Sequence, residues 1–383
     1  MENYATRIRR ELHSRPGVGF DLDETLEIIR RELDSIGVAY TEKMGKSSVV
    51  ATVNPEKTNY TLAIRADTDA LPITEKNEVT YKSKNEGVMH ACGHDAHTAI
   101  ALDALRRINE MRDDIPLCVK FIFQSAEEYK TSGAKLLCDD GVMNGIDSIV
   151  ALHCDPEIEV GKVAVSDGPQ NSTSFGFYLS FFGKSAHAAK RELGIDAIKM
   201  AHEAYAKITD AVEKEIEDGE RVIFHVGKIE GGTTNNIVAS SCSMFSTLRT
   251  YSDEKSYELR AKMEEICEGI AKKHGGGFEL VEVKFYPVIN NDAKITDEVR
   301  RAMIETLGAE SVLPRERDMV GEDFAYYARI APACFFRLGT KNEEKGITSP
   351  LHSDTFDIDE RALSIGSDVF VKIVLNKAKE FQL

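Results

Sequence analysis

The dominant pattern along the first part of the chain is an alternation of short apolar runs with helical stripes. Residues 24–36 place Leu26, Ile29, Leu33 and Ile36 at helical spacing, and Gly37 stops the stripe. Residues 48–53 and 61–66 are short β-rich runs, while 117–123 (LCVKFIF) and 148–152 (SIVAL) are almost continuously apolar, as in strands buried on both faces. Helical patterns over 95–112 and 131–140 separate the second, third and fourth of these runs. Alternating strands and helices predict an α/β fold with a mostly parallel sheet flanked by helices.

From about residue 172 the order changes. Residues 173–182, 221–229, 243–250 and 278–285 are predicted strands, and 194–216 and 253–274 predicted helices. The first helix is expected to face inward with Ile195, Ile198, Tyr205, Ile208 and Val212, the second with Leu259, Met263, Ile266 and Ile270, and Gly275 to Gly277 end the second. The order β-α-β-β-α-β is the split-βαβ, ferredoxin-like unit. It predicts an inserted domain over 172–286 and a first domain made of 1–171 plus 287–383. The returning chain adds a helix near 294–307, a strand at 333–339 and a long helix at 359–380.

Composition narrows the class. A chain of 383 residues suits two domains, and 42% apolar with 29% charged residues is an ordinary soluble balance. Lys and Arg number 48 against 64 Asp and Glu, a net charge of −16, which repels phosphate backbones and argues against a nucleic-acid partner. No apolar run approaches the ~20 residues of a membrane helix. The opening MENYATRIRRELHSRPG has no apolar signal core, and seven scattered cysteines read as reduced thiols, so a cytoplasmic location is expected.

The candidate chemistry lies in four clusters and one distant residue. RADTDALP carries Asp67 and Asp69 just past a predicted strand; HACGHDAH carries His90, Cys92, His94, Asp95 and His97 at the start of a helix. QSAEE places Glu127 and Glu128, and ALHCD places His153, at the ends of two further strands; His352 stands in LHSDTFD. In an open α/β sheet, sites assemble at that edge. Thiolate, imidazole and carboxylate together are the ligand set of zinc and its neighbours. The candidates exceed one tetrahedral site, and two cations about 3.5–4 Å apart sharing a ligand fit better. A thiolate can be that bridge. On an extended backbone Glu127 and Glu128 point to opposite sides, so one could hold a cation while the other faces the attacking water as general base. His97, inside the helix, reads as packing or as a supporting hydrogen bond, and Cys154 beside His153 as packing.

In that order, RADTDALP, HACGHDAH, EE and LHS-x-x-F resemble the dinuclear-metal amidohydrolases of the aminoacylase, hippurate hydrolase and indole-acetyl-amino-acid hydrolase group. The similarity runs from ELHSRPGVGF to HSDTFDIDERAL and so spans almost the whole chain. The resemblance implies a zinc-peptidase-like catalytic domain in which Cys92, His94, Glu128, His153 and His352 bind two divalent ions (Zn, Mn, Co or Ni). Cys92 takes the place of the bridging aspartate of more distant relatives, Glu127 is the general base, and Asp69 stands behind a metal-ligating imidazole.

The resemblance extends to the inserted domain, which becomes a lid and dimerisation domain. FGKSAHAAKRELGIDAI matches the family's lid segment, with His187 stabilising the oxyanion in its own subunit or across a homodimer. GGTTNNIVASSCSMFSTLR matches the segment holding the substrate carboxylate, with Asn236 and Arg249. The implied reaction is hydrolysis of the amide bond of a small-molecule N-acyl amino acid; a dipeptidase or aminopeptidase, or a non-catalytic metal-retaining binder, are the alternatives. The chain departs from the family at Asn236-Ile237-Val238-Ala239, where relatives read Asn-Val-Ile-Pro. It also lacks the Pro that usually follows the lid histidine, and it reads PAC near Pro332.

Overall fold

The computed structural model describes residues 3–217, 219 and 221–382. The chain opens with helices α1 (Tyr4–His13) and α2 (Asp23–Ile36), strands β1 (Tyr40–Thr41), β2 (Val49–Val53) and β3 (Thr61–Asp67), then α3 (His94–Glu110), β4 (Cys118–Gln124), α4 (Gly133–Asp139) and β5 (Ser148–Glu159). Two short strands, β6 (Val163–Ala164) and β7 (Gly168–Asn171), lead to β8 (Ser174–Phe182), α5 (Ala197–Glu217), β9 (Ile223–Gly231), β10 (Ser241–Arg249), α6 (Asp253–His274) and β11 (Gly277–Tyr286). The chain ends with β12 (Ile289–Asn291), α7 (Ala293–Leu307), β13 (Val312–Leu313), α8 (Ala325–Ala328), β14 (Ala333–Lys341) and α9 (Arg361–Lys379).

These elements divide into two compact units. One contains residues 1–170, 289–316 and 323–383; the other contains 171–288 and the short segment 317–322. In the first unit, eight strands of the described chain form a sheet in the order β1-β2-β4-β3-β5-β14-β6-β13. Its centre is parallel: β3 runs parallel to β4 and β5, and β5 to β14. The margins are mixed, since β2 pairs antiparallel with β4, and β6 with β14. Period-2 alternation explains why both faces are dry. Leu62, Ile64, Val119, Phe121, Phe123, Val150 and Leu152 enter one buried cluster with residues of α1, α2, α3, α7 and α9. Ala63, Ile122, Ile149 and Ala151 enter another on the opposite face, with residues of α4 and α8.

The second unit is a four-stranded antiparallel sheet, β11-β8-β10-β9, backed by α5 and α6. Phe175, Phe177, Leu179 and Phe181 of β8 alternate into its core. Two inward assignments on α5 are corrected: Ile198 and Tyr205 are exposed. The buried stripe is Ala197, Met200, Ala201, Ala204, Ile208 and Val212, so small residues set the contact face and the bulky ones beside it stay in water. No helix among the described residues is long and apolar enough to cross a membrane.

Candidate metal centre

The site is built where β3, β4 and β5 meet the start of α3. Asp67 is the last residue of β3, and Asp69 follows it in the loop. Gly93 caps α3 with φ +83°, and a side chain there would lie 3.1 Å from Cys154 Cβ, so only glycine lets the chain turn from Cys92 into the helix that carries His94. β5 does not stop at residue 152 as the apolar run predicts. It continues to Glu159 beside β14, which leaves His153 and Cys154 within the strand, beyond its last rung with β3 at Ala151.

His352 reaches the cluster by a backbone tie: its N–H donates to the Ala91 carbonyl at 2.8 Å, with φ at +63°. A non-glycine residue in that region is strained and persists only where the surroundings hold it. Ala126, immediately before the glutamates, has φ +54°. The segment 127–130 is therefore bent, and the extended-backbone argument for Glu127 and Glu128 does not apply. Instead both backbone N–H groups converge on one carboxylate, Glu127 to Asp69 Oδ1 at 3.0 Å and Glu128 to Asp69 Oδ2 at 3.1 Å.

Five of the sequence candidates come together. Ligand atoms of Cys92, His94 and His153 lie within 4.8 Å of one another, as do those of Cys92, Glu128 and His352. Cys92 belongs to both triads. Its Sγ is 3.4 Å from His153 Nε2, and His352 Nε2 is 2.9 Å from Glu128 Oε1. Glu127 forms a third group with His94 and Glu128. The two buried imidazoles present lone pairs to this cluster. His94 Nδ1 donates to the Asp69 carbonyl at 2.8 Å and His153 Nδ1 to the Cys154 carbonyl at 2.7 Å, and a carbonyl can only accept. The Nε2 of each is therefore unprotonated in the neutral ring, and the wholly buried His94 Nε2 has no hydrogen-bond partner among the described residues.

The charges also call for cations. Burial depresses the His94 imidazole, yet Asp67, Asp69 and Glu128 overcome it and hold it up to about 10. Burial, together with Glu128, Glu127 and Asp67, pushes the Cys92 thiol well up. Burial pushes His153 well down. Buried soft and borderline donors in an anionic setting, with an orphaned imidazole nitrogen, fit divalent metal.

The other candidates have separate partners. Asp67 accepts from Arg65 Nη1 at 2.6 Å and from His97 Nδ1 at 2.5 Å. Asp95 accepts from Arg9 Nε at 2.8 Å and from His13 Nδ1 at 2.7 Å. His90 is buried beside His13, outside both triads, and burial takes it down to about 3. Asp69 lies 3.7 Å from His94 Nδ1 through its carboxylate, so its closest hold on that imidazole is its backbone carbonyl.

In the second unit, His187 is exposed, and its Nδ1 accepts the Ala189 N–H at 3.1 Å. The Ala188 N–H donates to the Asn236 carbonyl at 3.0 Å, which brings those two sequence segments together. Arg249 on β10 donates to the Met319 carbonyl at 2.7 Å, and among the described residues its guanidinium has no carboxylate partner within ion-pair distance. Burial lowers its pKa.

Sequence reasoning missed the buried charges that hold this edge. Arg65 is fully buried and bonds Gln124, Asp67 and Asp323; Asp323 also accepts from Ser132 Oγ at 2.7 Å and the Ala134 N–H at 3.2 Å. The available signal was an arginine in the middle of a strand buried on both faces. Gly133 is equally constrained, since a Cβ would lie 1.8 Å from the Ser125 carbonyl oxygen. Gly133→Ala should displace the turn before Glu127 and lower the unfolding temperature by on the order of 5 °C, read by calorimetry.

The model of peptidase family M20/M25/M40 matches residues 63–376. The chain belongs to that family. It is 31% identical over 369 residues to N-acetylcysteine deacetylase of Bacillus subtilis, covering 96% of this chain and 95% of that protein. It is 30% identical over 366 residues to IAA-amino acid hydrolase ILR1-like 4 of Arabidopsis thaliana, covering 94% and 83%. The solved Bacillus subtilis YxeP protein, described as a dinuclear metal-binding peptidase of family M20, superposes with a TM-score of 0.84 at 29% identity, covering 98% of each chain. This M20 chain is therefore a hydrolase acting on amide bonds, with a dinuclear metal site.

Proposed function

We propose that the chain hydrolyses the amide bond of a small N-acyl amino acid. The observation that carries the reading is that Cys92 is shared by two metal-competent triads, with Glu127 beside them and outside both. Cys92, His94, Glu128, His153 and His352 are the proposed ligands. Two divalent ions bound there would supply positive charge to polarise an acyl carbonyl and acidify a water. Glu127 takes the water's proton and returns it to the departing nitrogen, so an amine leaves and a carboxylate remains. Asp69 acts on both glutamates through their backbone N–H groups.

Within the second unit, His187 and Arg249 are assigned to the substrate. Because His187 Nδ1 accepts a backbone N–H, the neutral ring carries its proton on Nε2, the donor an oxyanion needs. Arg249 fits the substrate carboxylate; Asn236 lies at the opposite end of β10, beside the His187 segment, and is assigned to the substrate there with His187. The same unit is the proposed dimerisation surface. On the sheet face away from α5 and α6, Tyr178 and Phe245 are exposed and stacked at 4.6 Å, with Val281 paired beside Tyr178. Sedimentation should give twice the mass of one chain, and Phe245→Glu should return the single-chain mass.

The function is tested with the chain loaded in turn with Zn²⁺, Mn²⁺, Co²⁺ or Ni²⁺. N-acyl amino acids of varied acyl length are compared with dipeptides bearing a free α-amine. Release of free amino acid from the N-acyl series is expected. Cleavage confined to dipeptides would establish the peptidase alternative, and inertness toward every amide would establish a binding protein.

A further inference from the structure

The HACGHDAH segment contains a third histidine that the proposed ligand set leaves out. His97 lies one turn into α3, is 1% exposed and meets the His153 ring edge-on, with centroids 4.7 Å apart. Both of its nitrogens are engaged. The Cys154 backbone N–H donates to His97 Nε2 at 2.9 Å. A backbone amide only donates, so Nε2 must carry the lone pair and Nδ1 the proton, which goes to Asp67 Oδ1. Asp67 is in turn held by Arg65, and Arg65 by Asp323 at 2.8 Å, all with fully buried side chains. His97 therefore has no lone pair to offer a cation.

The fold explains why a histidine is needed at this point. The ladder between β3 and β5 ends at the Arg65–Ala151 rung. The Cys154 N–H lies beyond it, buried, without an acceptor from β3, and a buried amide left unpaired is costly. His97 replaces the missing strand. The carbonyl of the same residue, Cys154, accepts the His153 Nδ1 proton at 2.7 Å.

We propose that His97 is a positioning residue for the metal ligand His153. Bonded to Asp67 on one side and to the Cys154 N–H on the other, it fixes the residue whose carbonyl holds the His153 Nδ1 proton, and so aims the His153 Nε2 lone pair at Cys92. The inference rests on the ligand assignment made above. It adds that the chain Arg65–Asp67–His97–Cys154 sets the orientation and tautomer of one ligand, as hydrogen bonds behind ligating imidazoles commonly do.

The test uses the whole chain stripped of metal, with Co²⁺ as probe, read by equilibrium dialysis with metal analysis and by the visible absorption of the bound ion. Wild type should bind two Co²⁺ per chain. His97→Leu keeps bulk but neither hydrogen bond, and should weaken binding of one Co²⁺ by about 10–100-fold with an altered spectrum. His97→Gln can accept from Cys154 and donate to Asp67, and should restore affinity and spectrum. Wild type that binds no Co²⁺ would overturn the ligand assignment and this inference with it. Wild type and His97→Leu binding two Co²⁺ with equal affinity and identical spectra would overturn this inference alone. A second measurement leaves the wild-type chain unaltered. With ¹⁵N-labelled histidine, long-range ¹H–¹⁵N spectra should show His97 and His153 protonated on Nδ1, His97 being identified by the signals missing in His97→Gln. A proton on His97 Nε2 would overturn the proposal whether or not the leucine variant folds.

Discussion

Glu127→Gln is expected to retain both metal ions and to lose about 10²–10⁴-fold in kcat, the usual contribution of a positioned general base. The substitution preserves shape, and the anchor of this residue is untouched: its backbone N–H is held by Asp69 Oδ1 at 3.0 Å, and Ala126 and Gly133 fix the turn from the other side. What disappears is the basic oxygen beside His94 and Glu128. The adjacent residue supplies the contrast. Glu128 pairs with His352 at 2.9 Å within a triad containing Cys92, so Glu128→Gln should lose metal as well as turnover. Steady-state kinetics on an N-acetyl amino acid, run beside metal analysis of both variants, separates the two roles. Full turnover in Glu127→Gln places the base elsewhere, and metal loss in that variant makes Glu127 a ligand.

The contrast between neighbours also marks what the sequence could and could not convey. Cys92, His94, Glu128 and His153 stood out as candidates because sulfur, imidazole and carboxylate gathered past predicted strand ends, or just ahead of the next helix, have few structural uses in common; His352, distant from all of these, has no such position to mark it. The strands were legible because burial on both faces leaves LCVKFIF and SIVAL almost without polar positions. The continuation of β5 to Glu159 was not, because its last residues (DPEIE) carry three acidic side chains and a proline and are held by backbone pairing to β14 rather than by burial. On α5, alanines at 197, 201 and 204 allow close packing, and hydrophobicity alone pointed to Ile198 and Tyr205 instead. The part of the site that stayed hidden is the one made by long-range hydrogen bonds. Asp69 reaching the amides of Glu127 and Glu128, and Arg65 reaching Asp323 across 258 positions, leave no periodic trace in the chain.

Cys92→Ala should empty the site rather than merely slow it. Cys92 is the donor common to both triads, so its removal leaves His94 with His153 on one side and Glu128 with His352 on the other. Neither pair meets the three protein ligands usual for a catalytic ion, and affinity for both ions should fall by at least about 100-fold, beyond the effect of losing a supporting hydrogen bond. The sulfur also matters through its charge. Burial and the carboxylates of Glu128, Glu127 and Asp67 oppose ionisation of this thiol, so the thiolate and the cations stabilise each other and arrive together. That argument separates two further substitutions. Cys92→Ser offers a hydroxyl that does not ionise under these conditions and should behave like the alanine variant. Cys92→Asp restores a bridging anion with harder oxygen donors, and should recover binding of two ions with a preference moved from Zn²⁺ toward Mn²⁺. Metal content after dialysis against each ion is the measurement. An alanine variant that still holds two equivalents would show that the thiolate is not shared, and the dinuclear assignment would then need a different bridge.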